Sequence, residues 1–173
     1  MVVLFVLLLA GLSYGGLIIK PDDAVKKIFP NHEIQKKSIM IDKKTRDMIQ
    51  KKFKTKMKTS IFRIYLIKKD GNTIGYGILH SHRVRTKKET VLFILDKNCR
   101  IKDIEVIAFY EPPEYIPPDK WFKNFENKGA SGIPAVKKNI PNITGATLSS
   151  RAITDASRQV IGICDLYLRE KFR

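Results

Sequence analysis

Between residues 62 and 110 the chain runs as short apolar-rich segments separated by turn signals, and this pattern restricts the fold more than any other feature. Residues 62–67 lead into Lys69-Asp70-Gly71-Asn72, a hairpin turn sequence, and then into residues 73–79. A third run, 89–95, is followed by the turn Asp96-Lys97-Asn98. A fourth spans 101–110 and ends in the apolar stretch Val106-Ile107-Ala108-Phe109. This reads as an antiparallel meander of about four strands, enough for one sheet with a buried face.

Helices flank the meander on both sides, which makes the expected class α+β. Pro21-Asp22-Asp23 opens a short helical stretch over 24–29 that Pro30 stops. From 36 to 58 there are ten basic residues against Asp42 and Asp47. Ile41, Met48, Ile49, Lys52, Phe53 and Met57 there fit a helix with a narrow apolar stripe. After the meander, 111–118 holds four of the eight prolines, a stiff irregular arm that delivers Tyr115 and the single Trp, Trp121, to a defined place. The last element is a long helix over 149–172, with Ala152, Ala156, Val160, Ile163 and Tyr167 at intervals of three and four.

The chain has 33 Lys+Arg and 17 Asp+Glu in 173 residues, a formal net charge of +16. Charge of that size raises nucleic acid first, but the N-terminus argues otherwise. Residues 2–19 carry no charge, and the apolar run has the length of a signal-peptide core, followed by small residues at Ser13, Gly15 and Gly16. The expectation is residues 1–19 as a signal peptide or N-terminal membrane anchor and 20–173 as one domain, at the periplasmic or other extracytoplasmic face of the membrane. A buried N-terminal helix is the alternative. For an exported protein the basic charge suits an anionic membrane surface or acidic partners, with no nucleic acid. Cys99 and Cys164 form no CxxC, which excludes a zinc ribbon and a thioredoxin-type pair, and they read as structural or idle.

The window that carries chemistry is residues 143–152. A small-residue turn, Thr144-Gly145-Ala146-Thr147, runs directly into the terminal helix. The hydroxyls of Thr144, Thr147, Ser149 and Ser150 surround the free N–H groups of its first turn, a phosphate-sized anion site. An ordinary N-cap needs one such hydroxyl. Other candidates are thinner. His80 and His82 share a strand face but lack a third ligand at suitable spacing, so no metal site is expected and a solvated face is the better reading. Glu111 and Glu114 sit in no hydrolase pattern, and they read as capping the proline arm or bonding a ring. Tyr110, Tyr115, Trp121 and Phe122 are core or an aromatic wall against a flat ring.

Thr-Gly-Ala-Thr-Leu-Ser-Ser, residues 144–150, resembles the flavinylation motif of the FMN-binding domain family, which includes flavin subunits of Rnf complexes and of sodium-pumping NADH:quinone reductases. The likeness extends over roughly residues 60–165. It implies FMN as cofactor, Thr147 joined to its phosphate by a phosphoester, and Thr144, Gly145, Ala146, Leu148, Ser149 and Ser150 around it. Tyr115 and Trp121 would stand against the ring. It also implies redox partner proteins and a flavin transferase, in an electron carrier with no catalytic acid–base set. One position departs: the family's motif usually has Asp three residues before its first Ser/Thr, and Pro141 stands here. Covalent and non-covalent FMN therefore both stay open. The reading from another class is an exported, non-redox binding module that uses its basic face for an anionic ligand.

Overall fold

The apolar runs of the middle of the sequence become four long strands, β3 (Ile61–Lys69), β4 (Asn72–Arg83), β5 (Lys88–Asp96) and β6 (Ile101–Phe109), each antiparallel to the next. The computed structural model describes residues 15–172. Two further strands complete the sheet, β1 (Gly16–Leu17) against β6 and β2 (Glu33–Met40) against β3. The order is β1-β6-β5-β4-β3-β2, all antiparallel, so the fold is α+β as expected, with six strands among the described residues in place of four.

The basic stretch 36–58 is not one helix. Its first part is β2, an edge strand, and its second is α2 (Lys43–Phe53). The strand escapes a periodicity reading because an edge strand is wet on both sides. Ile39 alone is buried, Lys36 pairs with Asp22, and Lys37 lies over the Phe172 ring at 5.1 Å. Asp42 ends the extended chain by accepting from the Thr45 amide at 2.9 Å, an N-cap that starts α2. Lys54 closes it in the left-handed conformation.

Helices cover both faces of the sheet. α1 (Pro21–Ile28) puts Ala24 and Val25 against Tyr65, Ile67, Leu92, Ile94 and Ile107. On the other face lie α2 and α4 (Thr147–Ile163), over Ile64, Leu66, Ile78, Val91 and Phe93. The proline-rich segment folds into a 3₁₀ turn at Pro113–Tyr115, the short helix α3 (Asp119–Phe122) and a second 3₁₀ turn at Lys123–Phe125. After Ile163 the C-terminal helix widens to π pitch over Cys164–Leu168. There Cys164 is disulfide-bonded to Cys99 in the β5–β6 turn, with Cα atoms 5.5 Å apart.

Of the N-terminal segment 1–19, residues 1–14 lie outside the described residues. Gly16 and Leu17 belong to β1, and the Ile18 amide donates to the Ile107 carbonyl at 2.8 Å. Among the described residues no helix is long and apolar enough to cross a membrane.

Candidate functional site

The turn at residues 144–146 takes its shape from one residue. Gly145 has φ +87°, which an L side chain rarely adopts, and no atom lies within 4 Å of where a Cβ would point. Ala146 then occupies the N-cap of α4 without any side chain capping the first turn. The hydroxyls expected to surround these amides are used in three ways. Thr147 donates from Oγ1 to the Ile143 carbonyl at 2.8 Å, and Ser150 donates from Oγ to the Thr147 carbonyl at 3.0 Å. Ser149 is 1 % exposed, and its Oγ has no hydrogen-bond partner among the described residues.

A cavity of about 150 Å³ opens at this helix start, lined by Gly145, Ala146, Thr147, Leu148 and Ser149, with Tyr115 from the proline arm and Val84 and Arg85 from the β4–β5 connection. A buried hydroxyl without a partner and an uncapped 17-residue helix together favour an anion, because both offer donors that the protein leaves unused. Arg85 adds a full positive charge to the same wall. Six of the residues expected at the site are therefore brought together. Three are not. Thr144 is exposed outside the lining, Ser150 is buried with its hydroxyl on Thr147, and Trp121 lies in the core.

Trp121 is 3 % exposed, edge-to-face with Phe122 and Phe125, rather than on the cavity wall. Its large apolar ring is better satisfied under the sheet, and its indole N–H donates to the Pro141 carbonyl at 2.8 Å. The position that departs from the family's motif is thereby fixed to the core by its backbone. Tyr110 is about half exposed and does not line this cavity.

Val84 and Arg85 have no signature in a sequence pattern, since they belong to a loop that only tertiary structure brings to α4. Glu111 holds that loop. Its carboxylate accepts from the Arg85 and Lys87 amides, at 3.2 and 2.6 Å, and from the Thr86 amide and hydroxyl. The Lys87 amide is the strongest of these influences, and together they keep the Glu111 carboxyl below its ordinary range. Glu111 caps the β4–β5 connection, not the proline arm.

Two features coincide here, unused donors at a helix start and a motif at that turn. Residues 86–162 match the family model of the FMN-binding domain. The FMN-binding domain match begins in the β4–β5 connection and runs through the cavity to the end of α4, and it supports FMN as the cofactor. No curated protein matches the chain, and no solved structure does.

His80 and His82, which precede the matched segment, are not solvated. His80 is 4 % exposed, and both rings face α4. Hydrogen bonding to Gln159 and to Glu89 explains why polar rings tolerate that burial. Among the described residues no cluster of three His, Cys, Asp or Glu could hold a metal ion.

Proposed function

We propose that the protein is an exported flavoprotein that holds FMN by its phosphate at the start of α4, through a phosphoester to Thr147, and passes electrons at the extracytoplasmic face of the membrane. The observation that carries this reading is the buried, unpartnered Ser149 hydroxyl at an uncapped helix start inside the FMN-binding domain match. The residues fit the group. Unused donors from α4 and Ser149, with Arg85 opposite, suit a phosphate, and the bare side of Gly145 admits one closely.

Bound flavin would supply the electron chemistry. The chain's own residues bind and orient it. The Ile143 carbonyl accepts a hydrogen bond from the Thr147 hydroxyl and so orients that oxygen, Arg85 balances phosphate charge, and Glu111 keeps the Arg85 loop in place. Tyr115, on a 3₁₀ turn bracketed by prolines, closes the phosphate cavity with a wall that costs little entropy to fix. Export is supported by the Cys99–Cys164 disulfide, a bond at home in an oxidising compartment. A tether would keep the cofactor where it cannot be replaced. A flavin transferase would be needed to form it, and redox proteins and an anionic membrane surface are the partners proposed for the basic faces.

Co-expression with a flavin transferase, followed by intact mass and in-gel flavin fluorescence, tests this. The expected result is a mass increase of one FMN less water, lost in Thr147→Ala, and raised occupancy in Pro141→Asp. Yellow native protein without a mass increase would replace the phosphoester with non-covalent binding. Colourless protein would overturn the flavin reading and favour a non-redox binding module.

A further inference from the structure

Next to the flavin cavity, toward the middle of α4, three titratable side chains form a connected row. His82 on β4 stands directly opposite Glu89 on β5, and His80 stands opposite Val91, all on the sheet face under α4. His82 Nε2 is 2.8 Å from Glu89 Oε2, His80 Nδ1 is 3.2 Å from His82 Nδ1, and His80 Nε2 is 3.0 Å from Gln159 Oε1. Glu89 is fully buried, and its second oxygen has no partner among the described residues.

The hydrogen bonds place every proton of this row but one. Gln159 donates its amide N–H groups to the Lys56 carbonyl and to Asp155 Oδ2, so its oxygen must face His80. His80 Nε2 therefore carries a proton and donates it. Burial keeps the His80 ring neutral, its pKa pushed down to about 4, so its Nδ1 is bare and accepts. His82 must then donate from Nδ1. What is left is a single proton between His82 Nε2 and Glu89 Oε2, held either as imidazolium with carboxylate or as imidazole with carboxylic acid. In both forms the pair is neutral overall.

The row borders a cavity of about 360 Å³ whose α4 side is lined by Ala152 and Ala156. The charged groups around it are Lys56 and Lys58 from the segment after α2, Arg83 and Lys88 from the ends of β4 and β5, and Asp155 from α4. Four cations face one carboxylate, and Thr55 already donates to that carboxylate at 2.8 Å. This cavity follows the first along the same helix. Ser149 lines one and Ala152 the other, about 4.5 Å apart by helical rise. Arg83 and Arg85 are divided between them in the same way. A ligand with its phosphate at Thr147 thus has a second, cation-rimmed space one short chain away.

We propose that this cavity receives the ring of the flavin and that the His82–Glu89 pair is a proton-binding site coupled to it, taking up a second proton when the ring gains negative charge. The proposal rests on the flavin reading above. Two electrons arrive from an external reductant, one solvent proton joins the ring and a second joins the pair. The ring gains one negative charge and the pair one positive charge, so the site stays balanced. His82 keeps the shared proton on Nε2 and Glu89 receives the new one on its unpartnered oxygen. Burial already pushes the Glu89 acid upward, which makes it the group that can stay protonated beside an imidazolium.

Two measurements test this separately from flavin binding. In flavin-free protein, nitrogen NMR of the imidazoles is expected to show a bare Nδ1 on His80 and a protonated Nδ1 on His82. A proton on His80 Nδ1 would overturn the network whatever the flavin does. In flavin-loaded protein, the midpoint potential between about pH 5 and 8 is expected to follow two protons per two electrons throughout. Each proton contributes about 30 mV per pH unit for a two-electron couple. Glu89→Gln and His82→Gln should each lose one proton's share of that slope. A wild-type slope of one proton above neutrality, or variants with the wild-type slope, would overturn the coupling while flavin binding stands. Protein that takes up no flavin overturns the flavin reading and this proposal with it, even where the NMR agrees.

Discussion

Cys99, in the turn between β5 and β6, is bonded to Cys164 at the residue where the C-terminal helix leaves α pitch. The bond ties a sheet turn to the far end of the helix whose start forms the candidate site. It closes a loop of 65 residues. Constraint of the unfolded chain by a loop of that length stabilises by about 4 kcal/mol in the chain-entropy account. Cys99→Ala combined with Cys164→Ala should lower stability by about that amount, read as a shift in the urea midpoint. Reductant should destabilise the wild type and leave the double variant unchanged.

Glu111 gives a pH signature. Its folded carboxyl lies below the ordinary range, chiefly through the Lys87 amide, so its contribution is present above the unfolded value, about 4.3, and is lost as pH falls through the folded one. Glu111→Gln should cost about 2 kcal/mol near neutrality, with the gap to wild type closing in acid. Thermal melts of both proteins across pH would show it. A gap that persists at the lowest pH would mean the carboxylate charge is not what holds the loop.

Ser149→Ala separates stability from binding. Its buried hydroxyl lacks a partner, so removing it should leave flavin-free protein as stable or more so, by up to about 1 kcal/mol. The same change should weaken FMN retention. Unfolding of the flavin-free form and flavin titration give the two numbers, and retention should fall with no loss of stability.

At Gly162, α4 packs tightly on α2. A Cβ there would meet Ile49 Cγ2 at 2.6 Å and Phe53 Cδ2 at 2.9 Å. Gly162→Ala should therefore destabilise by about 1–3 kcal/mol despite alanine's higher helix propensity. Urea unfolding measures this directly.

On α2, Met48 is about half exposed and stands among Lys43, Lys44 and Lys51 in a shallow groove. Lys43 is paired with Asp47. Lys44→Gln with Lys51→Gln should reduce binding to anionic vesicles by about 2 kcal/mol, or roughly thirtyfold, at low salt. Sedimentation with vesicles tests it, and equal binding by both proteins would make this face a solvated surface.

What the sequence revealed of this molecule follows from the kind of signal each part leaves. Apolar runs of strand length between turn signals expose buried strands, so β3 to β6 were legible, whereas β2, with Lys36 and Lys37 among its residues, was hidden by its exposure. The turn at Gly145 and the start of α4 lie in one continuous stretch and could be read as an anion site. Arg85 reaches that site only because Glu111 folds its loop there, and no local pattern records such a contact. His80 and His82 show their shared face by spacing, but what lies opposite depends on strand register and on α4. Nothing in the residues near His82 points to Glu89 and Gln159 as the partners of this row. The Cys99–Cys164 bond is invisible for the same reason, two residues joined only by the packed fold.

The placement of β1 determines how the molecule would respond to a pull. Every pairing from β2 to β6 joins neighbours in sequence, through short turns from β3 onward and through α2 between β2 and β3, while β1 reaches β6 from the opposite end of that series and, among the described residues, contributes only Gly16 and Leu17 to the sheet. A two-residue strand has few bonds to lose and a large closure entropy to recover, so it is the natural breakaway point under tension applied at Gly15. Its loss would uncover the backbone of β6 near Ile107 and leave the β4–β5 hairpin, α4 and both cavities intact. A load carried by the N-terminal side would be released at the outer edge of the sheet before it reached the start of α4.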